Sequence, residues 1–325
     1  MKTRRYCLIV VCLLVVSLAA GLFSGCGQTA KAYCELFDLG SVEIADEVIA
    51  LSASPAAVAN YMLPVPSGTA VKEKNGAVID YSNVADGYVM AQYKNETDKA
   101  LRVQIEGPAT KYSYNLKPGD WATYSLSDGN GSYKVGVYIA VEGNKYSKVT
   151  SASFDVTMKD EFGPFLYSNP YVNFEKAPNT IDMAEKLTKG RESVLDKVSA
   201  IYDYVISNFT YDDELAQTVS SNYLPELDSV LEKKSGICFD YASVMAGMLR
   251  SQKIPVKLVI GYADSIYHAW LTVYSEETGW VDAAVYFDGK TWMRMDPTFA
   301  ATGGNTEKVK QFIGNGENYI AKYFY

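Results

Sequence analysis

Two residues in this chain have types that could do nucleophilic chemistry together: Cys238, in "GICFDYASVMAGMLRSQKIP", and the one histidine of the sequence, His268, in "YHAWLTVY". Ala242, Met245, Ala246 and Leu249 recur at helical spacing, which places Cys238 in the first turn of a helix reaching about Gln252 before Pro255. Unpaired N–H groups and the positive end of the helix dipole favour a thiolate at such a position. A free cysteine also packs well in a core, and the cysteine alone favours that plainer role. The histidine changes the balance, because any imidazole mechanism must use it and a thiol–imidazole pair is the usual form of an activated cysteine. Strand alternation sets His268, Trp270 and Thr272 on one face, with Leu271 and Val273 on the other.

A third member would be a carboxylate that orients the ring. "FDGK", with Asp288 and Gly289, is a two-residue hairpin signal between "AAVYF" and "TWMRMDP". On its second arm Met293 and Met295 share one face, leaving Trp292, Arg294 and Asp296 on the other. Asp282, in "GWVDAA", is a rival, and spacing does not separate the two. The ligand sets for zinc are absent from the sequence, since neither HExxH nor CxxC occurs, and "DGNGS" near Gly129 reads as a hairpin turn rather than a calcium loop. No cofactor and no metal is expected.

The elements that must position these residues change character along the chain. From Val78 the pattern alternates, in "AVIDYS", "DGYVMAQYK", "LRVQIEG", "KYSYNL", "WATYSL", "SYKVGVYIAVEG" and "KYSKVTSASFDVTM", broken by "KNETDK", "KPGD" and "SDGNGS". That is an antiparallel β-sandwich-like domain over residues 76–160. Its many tyrosines suit half-buried sheet faces better than a carbohydrate platform. A Pro- and aromatic-bearing crossing follows, then helical spacing in "TIDMAEKLTKG", "SVLDKVSAIYDYVISNF" and "PELDSVLEKKSG". In the second of these Val194, Val198, Ile201, Val205 and Ile206 form one face. Strands return after Cys238, in "VKLVIGYA", "YHAWLTVYS", "GWVDAAVYF" and "TWMRMDP", and the tail reads as a helix and a last strand. Helices first and strands later within residues 161–325 make an α+β class.

The start of the chain is a different kind of segment. "MKTRR" and "YCLIVVCLLVVSLAAGLF" are the basic and apolar regions of an export signal over residues 1–25. "LFSGC" resembles the lipobox of bacterial lipoproteins, with Phe23 where leucine is commoner, which implies lipidation at Cys26. Residues 26–75 then read as a tether and spacer. The expected location is the outer face of the bacterial cell membrane, or the periplasmic side where there are two membranes, with the lipid as the membrane contact. Of the five cysteines only Cys34 and Cys238 lie beyond the signal and lipid site, so no disulfide framework is expected. The net charge is −8 with no basic stripe, which argues against a nucleic-acid partner.

Three ordered motifs carry a further resemblance. "GICFDYASVMAGMLRSQKIPVKLVIGY", "YHAWLTVY" and "MDPTFA", with "NFTYDDELA" upstream, resemble the transglutaminase-like superfamily over roughly residues 177–301. The resemblance implies a papain-like α+β core and acyl transfer on amides: peptide hydrolysis, deamidation or transamidation through a thioester. It implies Cys238 as the nucleophile, His268 as general base and acid, and Asp296, by its D-P-T context, as the orienting carboxylate. The segment "VDAAVYFDGKT" departs from many bacterial members and bears on the sheet order around Asp296. The expected substrate is a peptide or protein amide of the cell envelope. The Cys238 backbone N–H is a natural oxyanion donor, with Tyr211 or Asn208 as side-chain candidates; Asp240 and Tyr241 read as buttresses of the helix. The alternative function is a non-catalytic surface lipoprotein that binds or acts as a scaffold.

Overall fold

The structure is a computed structural model that describes residues 61–143, 145–282, 284–287, 292–295, 298 and 319–325, with the backbone alone described at 281, 282, 284–287 and 292–295. The signal region, Cys26, Cys34 and Asp296 therefore lie outside the described residues or side chains.

The alternating segments fold into two four-stranded antiparallel sheets. One has the order β1 (Val71–Lys74), β2 (Ala77–Asp80), β3 (Tyr88–Tyr93), β6 (Ala122–Ser125). The other has the order β5 (Lys111–Leu116), β4 (Leu101–Glu106), β7 (Gly131–Glu142), β8 (Lys145–Val156). The period of two is visible in the burial itself: Leu101, Val103 and Ile105 of β4 are buried between half-exposed neighbours, and Tyr112, Tyr114 and Leu116 of β5 alternate with exposed ones. Each such aliphatic side chain contributes about 1.5–3 kcal/mol by leaving water. β1 falls in the stretch expected to be spacer. Its four residues, "VKEK", are all exposed, so it carries no hydrophobic alternation to read, and only its register with β2 makes it a strand.

The second half begins with α1 (Pro178–Thr188) and α2 (Val194–Asn208). Val198, Ile201 and Val205 of α2 are buried as the spacing predicts, with Val194 and Ile206 at the edge of the core. A short helix absent from the sequence reading, α3 (Asp213–Thr218), buries nothing and is started by Asp212, whose carboxylate accepts from the Leu215 N–H at 2.8 Å. α4 (Leu227–Lys233) carries Asp228, which accepts from the Asn179 and Thr180 N–H groups and the Thr180 hydroxyl at 3.1, 2.8 and 2.8 Å. One helix thereby caps the start of another.

α5 (Cys238–Ser251) is the centre of this half. The spacing predicts one buried face, but every residue from Asp240 to Ser251 is buried, because α1, α2 and α4 cover one side and strands β11 (Val256–Ala263) and β12 (Ile266–Ser275) the other. The main sheet runs β13 (Gly279–Asp282), β12, β11, β16 (Tyr319–Phe324), antiparallel throughout. "GWVDAAVYF", read as a single strand, is two: β13 joins the main sheet, while β14 (Ala284–Phe287) pairs with β15 (Trp292–Met295) in a separate ribbon. The antiparallel register Phe287↔Trp292 makes β14 and β15 the arms of a hairpin, and Asp288 and Gly289 lie outside the described residues. The inserted segment thus begins in the main sheet at Val281 and Asp282, and its Ala284–Phe287 stretch pairs with β15 instead. A single hydrophobic cluster runs from Ile79 and Val103 through Val198 and Met245 to Leu271. The architecture is α+β, a helix-centred sheet behind an antiparallel sandwich.

Candidate functional site

Cys238 is the first residue of α5, and its thiol is free and half-buried against the core. The chain reaches it through two short parallel strands, β9 (Thr210–Tyr211) and β10 (Ser235–Gly236), with Gly236 opposite Tyr211. This pairing fixes the backbone two residues before the cysteine. It also explains two letters of the Gly-x-Cys-x-Asp sequence. Asp240 is fully buried and folds back so that its Oδ2 accepts from the Ile237 N–H at 2.7 Å, while Oδ1 accepts from the Tyr223 hydroxyl at 2.6 Å. A Cβ at position 236 would lie 2.5 Å from the Asp240 Cβ, so the site of the glycine is the space the aspartate needs. Burial pushes the Asp240 carboxyl up, and the hydrogen bonds from Tyr223 and Ile237 pull it partly back. Tyr223 is pushed up in turn by its own burial and by the carboxylate it faces. Asp240 is an anchor of the helix start, placed to hold Cys238 rather than to react.

His268 lies on β12, which packs against α5, and only 4% of its surface is exposed. The register sets it opposite Gly261 of β11, and its ring lies 6.2 Å from Trp270 and 6.4 Å from Tyr319, centroid to centroid. Trp270, Val259, Tyr319 and Phe324 make a small apolar cluster beside it, whereas Ala269, Leu271 and Val273 join the main core, the two faces the alternation predicts. Tyr267, one residue before the histidine, is exposed and sets its ring 5.5 Å from that of Tyr262 on β11.

The other candidates are placed unequally. Tyr211 is beside Gly236 by strand pairing and packs at the edge of the same core as Cys238. Asn208, in the last turn of α2, gives an Nδ2–H to the Tyr204 carbonyl at 2.8 Å. The backbone of Asp282 pairs with Thr272 on the histidine strand, and the described side chains stop short of it and of Asp296. Tyr171 and Tyr223 were not foreseen. They flank Phe239, the residue after the cysteine, at 5.3 and 6.4 Å between ring centroids. Both sit in loops without periodicity, so no pattern pointed to them. Among the described residues no three His, Cys, Asp or Glu side chains gather as a metal site, and no helix is long and apolar enough to cross a membrane.

The model of the Transglutaminase-like superfamily matches residues 181–284, the stretch that holds the cysteine helix and the histidine strand. The chain carries a transglutaminase-like core. A relative, the uncharacterized protein YebA of Bacillus subtilis, is 34% identical over 139 residues, a match spanning 36% of this chain and 19% of the relative. The chain therefore aligns with about a fifth of that protein's length. Among solved structures, a candidate cysteine protease from Cytophaga hutchinsonii is similar at 16% identity, covering 72% of this chain and 82% of that one with a TM-score of 0.36. The periplasmic domain of TgpA from Pseudomonas aeruginosa, solved with ethylmercury, is similar at 16% identity, covering 67% and 94%, with a TM-score of 0.31.

Proposed function

We propose that this protein is an exported, lipid-anchored cysteine enzyme that transfers acyl groups from peptide amides, with Cys238 as nucleophile. The observation that supports it best is the accessible thiol at the first position of α5, packed on the strand that bears the single histidine. The Cys238 sulfur attacks the amide carbonyl carbon, and the oxyanion so formed is met by the backbone N–H groups of the helix start. His268, holding the thiol proton, gives it to the leaving nitrogen as the C–N bond breaks. Water or an amine then adds to the thioester, His268 takes its proton, and the C–S bond breaks to restore the thiol. Asp296 orients the imidazole in this reading, and Tyr211, beside Gly236, is preferred to Asn208 as a side-chain oxyanion donor. The signal and the lipidation at Cys26 keep the reaction outside the cytoplasm, on envelope peptides.

The test is alkylation by iodoacetamide at neutral pH, followed by peptide mapping at Cys238 in the native chain and in His268→Ala. An activated pair gives labelling that drops at least about tenfold in the variant, as expected when a general base is removed. Equal rates, with both proteins folded, would instead favour a packing cysteine in a non-catalytic surface protein.

A further inference from the structure

A cleft of about 130 Å³ lies where the sandwich meets the loops around α5, lined among others by Arg102, Tyr114 and Asn115 on one side and Tyr171, Asn222 and Tyr223 on the other. One water takes ~30 Å³ in the liquid, so this space accepts a single side chain rather than a sugar ring chain or a helix. Two of its lining residues, Tyr171 and Tyr223, reach the helix start, where their rings flank Phe239, the residue after Cys238.

Two residues of the lining have buried donors with no acceptor. Arg102 Nε and the Tyr114 hydroxyl are both buried without a hydrogen-bond partner among the described residues. The Arg102 guanidinium lies 5.0 Å from the centroid of the Tyr146 ring, a contact that uses none of its N–H bonds, and it forms no ion pair among the described residues. A buried donor left unpaired is costly, and more so on a charged group. Arginine's planar fork matches a carboxylate, and no other common peptide group satisfies both its charge and its geometry.

We propose that this cleft is a specificity subsite for a free carboxylate on the peptide substrate, held by Arg102 on the side of the helix start where Tyr171 and Tyr223 meet Phe239. The proposal rests on the acyl-transfer reading above for the word substrate. The carboxylate is either an acidic side chain or a chain end, and the two share this chemistry.

The experiment uses the full chain with Cys238→Ala, so that binding is read without reaction. Three peptides are titrated by NMR: acetyl-Gly-Glu-amide, acetyl-Gly-Gln-amide and acetyl-Gly-Gln with a free carboxyl end. The neutral peptide is expected to bind roughly tenfold or more weakly than one of the acidic two, the scale of one charge-assisted hydrogen bond, and which acidic peptide wins tells side chain from chain end. Arg102→Gln abolishes the preference and Arg102→Lys keeps part of it. Asn222→Asp, across the cleft, still accepts the hydrogen bond that Asn115 gives Asn222 and should weaken only the acidic peptides, a reading that survives if Arg102 variants fold poorly. Equal binding of all three, a preference untouched by both Arg102→Gln and Asn222→Asp, or no binding at millimolar concentration overturns the subsite. Labelling of Cys238 in the native chain is scored separately: a reactive cysteine without carboxylate preference sinks the subsite alone, and an inert cysteine with that preference sinks the acyl-transfer reading alone.

Discussion

The sandwich and the helix-centred half differ in how they use charge. In the sandwich, Lys94–Glu73 and Lys111–Glu106 are surface ion pairs whose side chains are about half exposed, while its interior holds Tyr112, Tyr114 and Tyr124. In the other half, Asp240 and Arg250 are completely buried, one in the first turn of α5 and one in the last. Each is hydrogen-bonded to the backbone, and Asp240 to the Tyr223 hydroxyl as well. Asp240 accepts from the Ile237 N–H, and Arg250 donates to the carbonyls of Val256, Tyr167 and Tyr325. Their signs complement the helix dipole at both ends. Among the described residues a buried charge holds backbone: Asp80 of β2, 3% exposed, accepts from the Gly68 and Ser82 N–H groups, and the backbone held at Asp240 carries the cysteine.

The largest effect should come from Arg250. Burial pushes its guanidinium down to about 9, which still leaves it charged at neutral pH, and Arg250→Met would strand the buried carbonyls of Val256 and Tyr167, while Tyr325 keeps the Leu258 N–H. At about 1–3 kcal/mol per orphaned group, the urea midpoint should report a loss of at least about 2 kcal/mol. A loss under about 1 kcal/mol would mean that the buried charge holds nothing, and the contrast with the sandwich would fall.

Next comes Gly236→Ala, whose methyl meets Asp240. A loss on the order of 2 kcal/mol is expected, with slower alkylation of Cys238, since the helix start must shift. A variant as stable as the parent would show that Asp240 is free to move.

Asp240 also predicts a pH dependence. Its carboxyl is raised, so the folded chain keeps a proton that the unfolded chain releases near pH 4, and its contribution to stability falls as pH rises from about 4 through the raised value. Asp240→Asn should flatten that part of the stability-versus-pH curve, and an unchanged slope would count against burial as the cause.

Asp228→Ala removes the acceptor that starts α1 and should cost about 1 kcal/mol in thermal or urea unfolding. The smallest effect belongs to the sandwich surface. Lys111→Ala should change stability by no more than about 0.5 kcal/mol, less still in high salt. A larger change would put the sandwich's surface charge on the same footing as the buried pair.

Much of this was readable before any coordinates. Of the seven segments from Ala77 to Val156, β4 and β5 are strands with one face on a core and the other toward water, and that contrast is written in the residues, whereas β2 is buried on both faces. The helices at 178–188, 194–208 and 227–233 follow their apolar spacing for the same reason. Elements that bury nothing, β1 and α3, left no such trace. The split of residues 279–287 between two sheets also left none, because a run of apolar strand formers does not say where its neighbours are.

By itself the sequence determined the types and order of the reactive residues, with Cys238 at a helix start and His268 on a strand, since both follow from local spacing. Tertiary structure alone decided that α5 is buried on every side, that Tyr223 reaches Asp240, and that Arg102 of the sandwich and Tyr171 of the connecting segment line one cleft. Those pairings join residues far apart in the chain, and no periodicity encodes them; they exist only once two halves with separate local patterns close over a common core.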